Sequence, residues 1–472
     1  MEFKRIPERA MRIGLGAPIP IKFIGTDLIQ DSFEKGVFEQ AERVAYLPHI
    51  ADLAFMPDAH IGIGTCIGTM AAWKKDKALV SPTICGVDIG CGMRLVRTSL
   101  TPDAFDKHTL RLLMDKIEER IPMGAGKKVE QPVDSDRAIR GAILGHLPRI
   151  ASVLGQTERS VLEETVPGSY TRILPDGVRI SERAWERGYD TLGTLGGGNH
   201  FIEIQVVKVL EPAIAAKWDL FDNQIVVEIH SGSRGFGYQI ADDYMKFFGD
   251  LMDRQGITRV DKGLVYAAFN SDHGQDYFTA QRAACNFSVL NRLIMSYHVK
   301  EVLRELMGVT GSDLCDIIHN YIVEEDDYLV HRKGATAAYP AGHPIIKDTP
   351  FEDTGFPMLI PGSMGTASFI LQPLEGAKET RFTVNHGAGR TMSRRQAQEG
   401  IATKRFESQM SQILVNERDL SRIKDEAPDA YKDIDEVIKS VEMAGLARVV
   451  ARCTPIAVMK GSDIEFRRRR KR

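Results

Sequence analysis

Apolar residues recur along this chain in two rhythms. Short runs rich in β-branched residues, at 225–229, 314–318 and 381–384, are too brief for helices and read as buried strands. Each run stops at a histidine, namely His230, His319 and His386. Longer stretches at 109–121, 135–147, 238–252 and 285–306 repeat apolar residues every three or four positions and read as helices. The same pattern returns near 405–415 and 436–444. Helices fall between groups of strands, which predicts a mixed α/β (α+β) fold. Three strands that each deliver an imidazole to a turn predict one sheet whose edge holds a site. The polar, turn-rich stretch 166–182 reads as an exposed loop. No repeat and no linker divides the chain. Residues with metal-ligand chemistry run from position 88 to 386, which favours one large domain over residues 1–461.

Composition narrows the functional classes only mildly. The chain has 472 residues, 43% hydrophobic and 26% charged, with a net charge of −3. It is not a polycation, so a nucleic-acid partner would have to meet a local basic patch. The N-terminal residues Met-Glu-Phe-Lys-Arg carry charges and lack the apolar centre of a secretory signal. No apolar run reaches the ~20 residues that a membrane helix needs. Six cysteines without a CxxC pair point to a reducing, cytoplasmic compartment. The end, Phe466 followed by six basic residues through Arg472, makes 462–472 a basic tail expected to be disordered.

Candidate chemistry sits in five glycine-flanked segments. Asp88 and Cys91 lie three apart in a glycine-rich turn; a thiolate can bridge two metal ions and a neighbouring carboxylate can complete one of them. A buried structural cysteine is the alternative, and the glycines on either side argue for close approach rather than packing. In Gly196-Gly197-Gly198-Asn199-His200, three glycines are entropically costly unless the backbone passes something bulky. Asn199 and Glu203 have the side chains to bond a nucleotide or orient ligands. A lone histidine at a strand end is usually structural, but His230 and His319 share one context, and His200 and Cys91 add to it. His386-Gly387-Ala388-Gly389-Arg390 resembles a phosphate loop followed by Arg394 and Arg395. Imidazole is both a metal ligand and a nucleophile toward phosphorus, and a capped helix N-terminus is the plainer reading of this stretch. A metal beside a phosphate cradle points to nucleotidyl or phosphoryl chemistry.

Eight segments, in order, carry a resemblance. They are Met-Pro-Asp-Ala-His-Ile-Gly-Ile-Gly at 56–64, Gly-Val-Asp-Ile-Gly-Cys-Gly-Met at 86–93, Leu-Gly-Gly-Gly-Asn-His-Phe-Ile-Glu at 195–203 and His-Ser-Gly-Ser-Arg-Gly at 230–235. Ile-His-Asn at 318–320, Pro-Gly-Ser-Met-Gly at 361–365, His-Gly-Ala-Gly-Arg at 386–390 and Val-Met-Lys-Gly at 458–461 complete the set. Together they resemble the RtcB family of RNA-splicing ligases. The resemblance implies an α/β architecture with a central β-rich core flanked by helices, and two manganese ions, Mn(2+). Cys91 would bridge them, with Asp88 and His200 on one ion and His230 and His319 on the other. His386 would be the nucleophile that takes GMP from GTP. Asn199, Glu203, Asn320, Ser363, Met364, Ser368, Gly387, Ala388, Gly389 and Lys460 would surround the nucleotide, with Tyr431 at or near the base. Arg234, Arg390 and Arg394 would face RNA phosphates.

The implied reaction opens a 2′,3′-cyclic phosphate to a 3′-phosphate, guanylylates it, and lets a 5′-hydroxyl displace GMP. An archease-type activator is an implied candidate partner, and the cytoplasm the implied setting. Asn385 and the loop 62–67 depart from the family pattern. Two rival classes use the same residues: a metal-dependent phosphodiesterase or phosphatase without GTP, and a paralogue that binds RNA ends without joining them.

Overall fold

The computed structural model describes residues 1–124, 136–175, 177–417 and 419–461. The basic tail at 462–472 lies outside the described residues. The fold is mixed helix and sheet, built on two large sheets. One runs, in spatial order, Glu2–Ile6, Met11–Leu15, Ile21–Ile24, Ile50–His60, Ile67–Lys74, Tyr328–Lys333 and Asn320–Glu325. The other runs Ser312–Ile318, Gly92–Arg97, Ile225–Ser231, Phe201–Val209, Ala447–Met459, Ser368–Pro373 and Met358–Ile360, with Leu414–Val415 added in parallel on Ala447–Met459.

Period-two alternation decides what each face of the second sheet does. Ile225, Val227 and Ile229, with Ile202 and Ile204 beside them, pack with Leu113 and Ile117 of the helix Lys107–Arg120 and with Met295 and Val299 of the helix Asp272–Met307. The intervening positions Glu203, Gln205, Glu228 and His230 are buried too, on the opposite face. An apolar face bound to helices therefore sends the polar residues, His230 among them, toward the inside of the fold.

Most expected helices are present. Lys107–Arg120 starts where the Asp106 side chain accepts from the Thr109 N–H at 2.7 Å, a capped N-terminus. The periodicity at 238–252 and 285–306 falls inside the longer helices Arg234–Arg254 and Asp272–Met307, and misses the first part of each. The expectation at 135–147 is realised as Asp136–Ile143, position 135 being outside the described residues. Near 405–415 the helix is only Thr403–Gln409, because Leu414 and Val415 pair with Ala457 and Val458 instead. The stretch 166–182 is irregular as expected, but it is not simply exposed. Val166, Ser169 and Tyr170 are buried, and the Val166 N–H donates to the Asp316 carbonyl at 2.8 Å.

The strands at 225–229 and 314–318 do belong to one sheet, but the third does not. Arg381 and Phe382 have left-handed backbone, and only Thr383–Asn385 is strand, paired with Ala335–Ala337 in a separate ribbon. The site is thus assembled from the end of one sheet and a neighbouring ribbon.

Gly90 shows what the glycine-rich turn is for. Its φ is +70°, and a Cβ there would lie 2.9 Å from Ser288 Cβ and 3.0 Å from Cys285 Cα. The close approach is to the long helix, so this glycine serves packing, contrary to the sequence expectation. Gly90→Ala should therefore cost about 1–3 kcal/mol through strain and overpacking. Urea unfolding at a wild-type midpoint would contradict that expectation.

Candidate metal and nucleotide site

Strand register brings the candidate ligands together. Gly92 pairs with Ser231 on one side and Ile318 on the other. Cys91 therefore precedes this row, His230 is one residue before its partner, and His319 is one residue after. Phe201 pairs with His230, which puts His200 at the end of the next strand. Four adjacent strands deliver four ligands to one end of the sheet.

The resulting cluster is tight and nearly dry. Cys91 Sγ lies 3.4 Å from His200 Nε2 and 3.3 Å from His230 Nε2. His200 Nε2 is 3.0 Å from Asp88 Oδ2. The rings of His230 and His319 are 5.3 Å apart. Potential ligand atoms fall into two groups that share Cys91: Cys91, His230 and His319, and Asp88, Cys91 and His200, with all atoms of a group within 4.8 Å of one another.

This donor set fits transition-metal ions. Burial, reinforced by neighbouring imidazoles and cations, holds His230 and His319 well below the ordinary histidine value, so both are neutral and able to ligate. His230 Nδ1 and His319 Nδ1 are buried and have no hydrogen-bond partner among the described residues. Burial, then Asp88, push the Cys91 thiol well above its ordinary value; a thiolate forms there only against a cation. Burial would raise Asp88, but the His200 hydrogen bond and the His200 and Arg234 charges bring it below the usual range. His200 Nδ1 is 3.0 Å from the Leu195 carbonyl, and a hydrogen bond there orients the ring so that Nε2 faces Cys91 and Asp88.

His386 stands against this cluster, its ring 4.8 Å from that of His319. Its Nδ1 lies 2.7 Å from Asp58 Oδ2, and its backbone N–H donates to the same oxygen at 3.1 Å. Asp58 is fully buried. Donation of Nδ1–H to this carboxylate fixes the ring and leaves Nε2 with the lone pair that a nucleophile needs.

A cavity of about 220 Å³ opens beside His386. Of the sequence-derived nucleotide and RNA residues, Asn199, Ser363, Met364, Gly387, Ala388, Gly389, Arg390, Arg394, Tyr431 and Lys460 line it, as do His230 and His386. Glu203, Asn320, Ser368 and Arg234 are not among its lining residues. Asn320 instead ties backbone together, donating to the Asp88 carbonyl at 2.9 Å and accepting from the Gly334 N–H at 2.7 Å. Glu203 and Ser368 belong to a buried group behind the cavity, where Gln205 Nε2 reaches Glu203 at 2.8 Å, Glu228 at 2.7 Å and Ser368 at 3.1 Å. Arg234 Nη1 is 3.2 Å from His200 Nδ1, and a Cβ on Gly196 would collide with its guanidinium. That guanidinium is one bulky group which the triple glycine lets past. Arg395 points elsewhere: its exposed side chain pairs with Glu399 at 3.0 Å.

Two contributors escaped the sequence reading. Asp58 lay in the quoted 56–64 segment without a role, and no local signal ties it to His386, 328 positions away. Glu426 carried no local signal. It pairs with Arg394, with Arg390 at 3.3 Å and with Lys460 at 3.3 Å, and accepts from the Tyr431 hydroxyl at 2.6 Å. Burial alone would raise this carboxyl, but Arg394, Lys460 and Arg390 outweigh it and hold it well below the usual carboxylate range.

A cavity lined by cations and a glycine loop stands beside imidazoles and a thiol whose donor atoms could hold metal ions. The model of the family described as "tRNA-splicing ligase RtcB" matches residues 40–461. Several proteins named tRNA-splicing ligase RtcB are similar over most of their length. The one from Thermococcus kodakarensis is 38% identical over 463 residues, covering 92% of this chain and 93% of its own. The Archaeoglobus fulgidus protein is 36% identical over 468 residues, covering 94% and 95%. The chain belongs to the RtcB family.

The buried acid group predicts a pH dependence. Burial, then Glu228, push Glu203 up from the ordinary 4.5 to about 8. The folded state then holds a proton that the unfolded state releases, so stability falls as pH rises between those values. Glu203→Gln keeps the neutral shape and should flatten that decline, read as melting temperature against pH from 5 to 8. A wild-type slope in the variant would mean that Glu203 does not carry the proton.

Proposed function

We propose that this protein is a GTP- and manganese-dependent RNA ligase that joins 2′,3′-cyclic phosphate or 3′-phosphate ends to 5′-hydroxyl ends, in tRNA splicing or RNA repair. The observation that carries the reading is the pairing of two donor groups sharing Cys91 with a histidine whose Nδ1 is held by Asp58 at 2.7 Å. Membership of the RtcB family supports the ligase class.

In this reading His386 Nε2 attacks the α-phosphorus of GTP. The N–P bond forms, the bond to the β-phosphate oxygen breaks, and pyrophosphate leaves. Asp58 holds the Nδ1 proton and steadies the imidazolium charge. An oxygen of the RNA 3′-phosphate then takes the GMP from nitrogen, and the 5′-hydroxyl oxygen finally displaces GMP. Two manganese ions, held by Asp88, Cys91 and His200 and by Cys91, His230 and His319, would neutralise phosphate charge and lower the pKa of attacking oxygens. Arg390, Arg394 and Lys460 line the cavity where phosphates would lie, and incoming phosphate competes with Glu426 for them. Tyr431 serves the base, and Arg234 the RNA phosphates. Asn199, Ser363 and Met364 line the cavity as nucleotide contacts. Glu203, Asn320 and Ser368 act on the nucleotide from behind these groups. The setting is the cytoplasm, with an archease-type protein as activator; no helix among the described residues is long and apolar enough to cross a membrane.

Incubation with α-labelled GTP and manganese should give acid-labile labelled protein. A metal-dependent phosphodiesterase or an end-binding paralogue would give none. His386→Ala should lose the label yet still seal RNA that already carries a 3′-linked GMP, whereas His230→Ala should lose metal and seal neither. Normal labelling of His386→Ala would move the nucleophile elsewhere.

Asp58→Asn tests the orienting contact. Loss of the carboxylate should slow GMP attachment by roughly 100-fold or more, on the scale of other misoriented histidine bases, while manganese binding stays within a few-fold of wild type. Labelling at the wild-type rate would remove Asp58 from the mechanism.

A further inference from the structure

The helix Asp272–Met307 is buried along most of its length, yet it carries Ser288, Asn291 and Arg292, all fully buried. Spacings of three and four place them on one face. Polar groups in such a place are destabilising unless every one is bonded. Their partners are the segments that hold the proposed ligands. Ser288 Oγ donates to the Gly90 carbonyl at 2.5 Å. Arg292 Nη1 lies 3.0 Å from the same carbonyl and 2.8 Å from that of Ser231, while its Nε and Nη2 clasp Asp316 at 2.8 and 2.6 Å. Asn291 donates to the Gly232 carbonyl at 3.1 Å and the Ser231 hydroxyl at 3.1 Å, and accepts from the Gly193 N–H at 2.6 Å.

We infer that this polar stripe is a template that sets the spacing of the metal ligands, with Ser288, Asn291 and Arg292 as positioning residues. Gly90 adjoins Cys91, Ser231 adjoins His230, Asp316 lies on the strand that ends before His319, and Gly193 leads into the turn that carries His200. One rigid helix therefore grips four separate ligand-bearing segments, three through backbone atoms and the fourth through the Asp316 carboxylate. None of the three residues approaches a ligand side chain in these bonds; each acts by fixing the peptide beside it. The same helix supplies an internal comparison. Asn286 is equally buried and bonds the Ile143 and Thr171 carbonyls at 2.9 Å each, in segments that carry no ligand. Orienting groups around metal ligands commonly set affinity as strongly as they set geometry.

The inference rests on the metal reading proposed above, and cobalt(II) separates the two. The full-length protein with cobalt should show a thiolate-to-cobalt absorption band that Cys91→Ala lacks. Without that band in the wild type, the metal reading falls and the template role falls with it. Given the band, Arg292→Lys should weaken cobalt binding roughly 10–100-fold and shift the band, and Ser288→Ala should do so to a smaller degree. Asn286→Ala should lower the melting temperature but leave cobalt affinity and spectrum unchanged. If Arg292→Lys does not fold, Ser288→Ala decides alone. Wild-type affinity and spectrum in the folded stripe variants, or an equal loss in Asn286→Ala, would overturn the template while leaving the metal reading intact.

Discussion

Three buried imidazoles and a buried thiol sit against one another with a half-buried carboxylate at their edge, and the fold around them is organised to keep them there. Each of these groups would be better solvated elsewhere. Only a backbone that cannot relax holds them in contact. Adjacent strands provide it: Gly92 is in register with both Ser231 and Ile318, so Cys91, His230 and His319 cannot separate without breaking the ladder. Burial favours neutral imidazoles at His230 and His319 and a protonated thiol at Cys91, from which a bound cation would draw the thiolate.

The chain also changes sheets at this point. Ser312–Ile318 belongs to one large sheet and Asn320–Glu325 to the other, with His319 alone between them. A residue at such a crossing faces neither a solvent edge nor a continuous core. Asn320 fixes the crossing by bonding the Asp88 carbonyl and the Gly334 N–H. Its amide thus joins the turn of one proposed ligand to the strand following another. The ribbon formed by Ala335–Ala337 and Thr383–Asn385 starts just past this point and carries His386 to the same place. Asn385 is buried there and donates to the Gly387 carbonyl at 2.9 Å, which braces the loop after His386.

Local pattern revealed the strands that bear His230 and His319, the helices, and the residue types of the cluster, because strand burial and ligand chemistry leave marks within a few positions. Long-range geometry left fewer marks. Asp58 meets His386 across 328 positions, and nothing near Asp58 separates it from an ordinary turn aspartate. Glu426 draws its three cations from 390, 394 and 460. Glycines misled in one instance for a definite reason: the need for space at Gly90 is real, but a helix fills it, and a sequence cannot say what stands opposite a missing Cβ. Placing His386 on the same sheet as the other two histidines failed likewise, since an apolar run before a histidine fixes a strand but not its neighbour.

The cation cluster gives the cavity its sense of direction. Arg390 and Arg394 from one segment and Lys460 from the far end of the family region would repel one another if nothing stood between them. Glu426 supplies that charge, and the Tyr431 hydroxyl and the stacking of Arg390 over the Tyr431 ring at 4.8 Å hold the group in place. An anion arriving in the cavity meets positive groups already assembled and desolvated, so little reorganisation remains to be done. The carboxylate that steadies the cations also opposes any anion that is not held by several of them at once. A ligand with one phosphate-like contact gains little over Glu426, whereas one that spans the glycine loop, both arginines and the lysine gains at each. Discrimination by charge spacing thus follows from a buried acid whose sequence surroundings gave no hint of it.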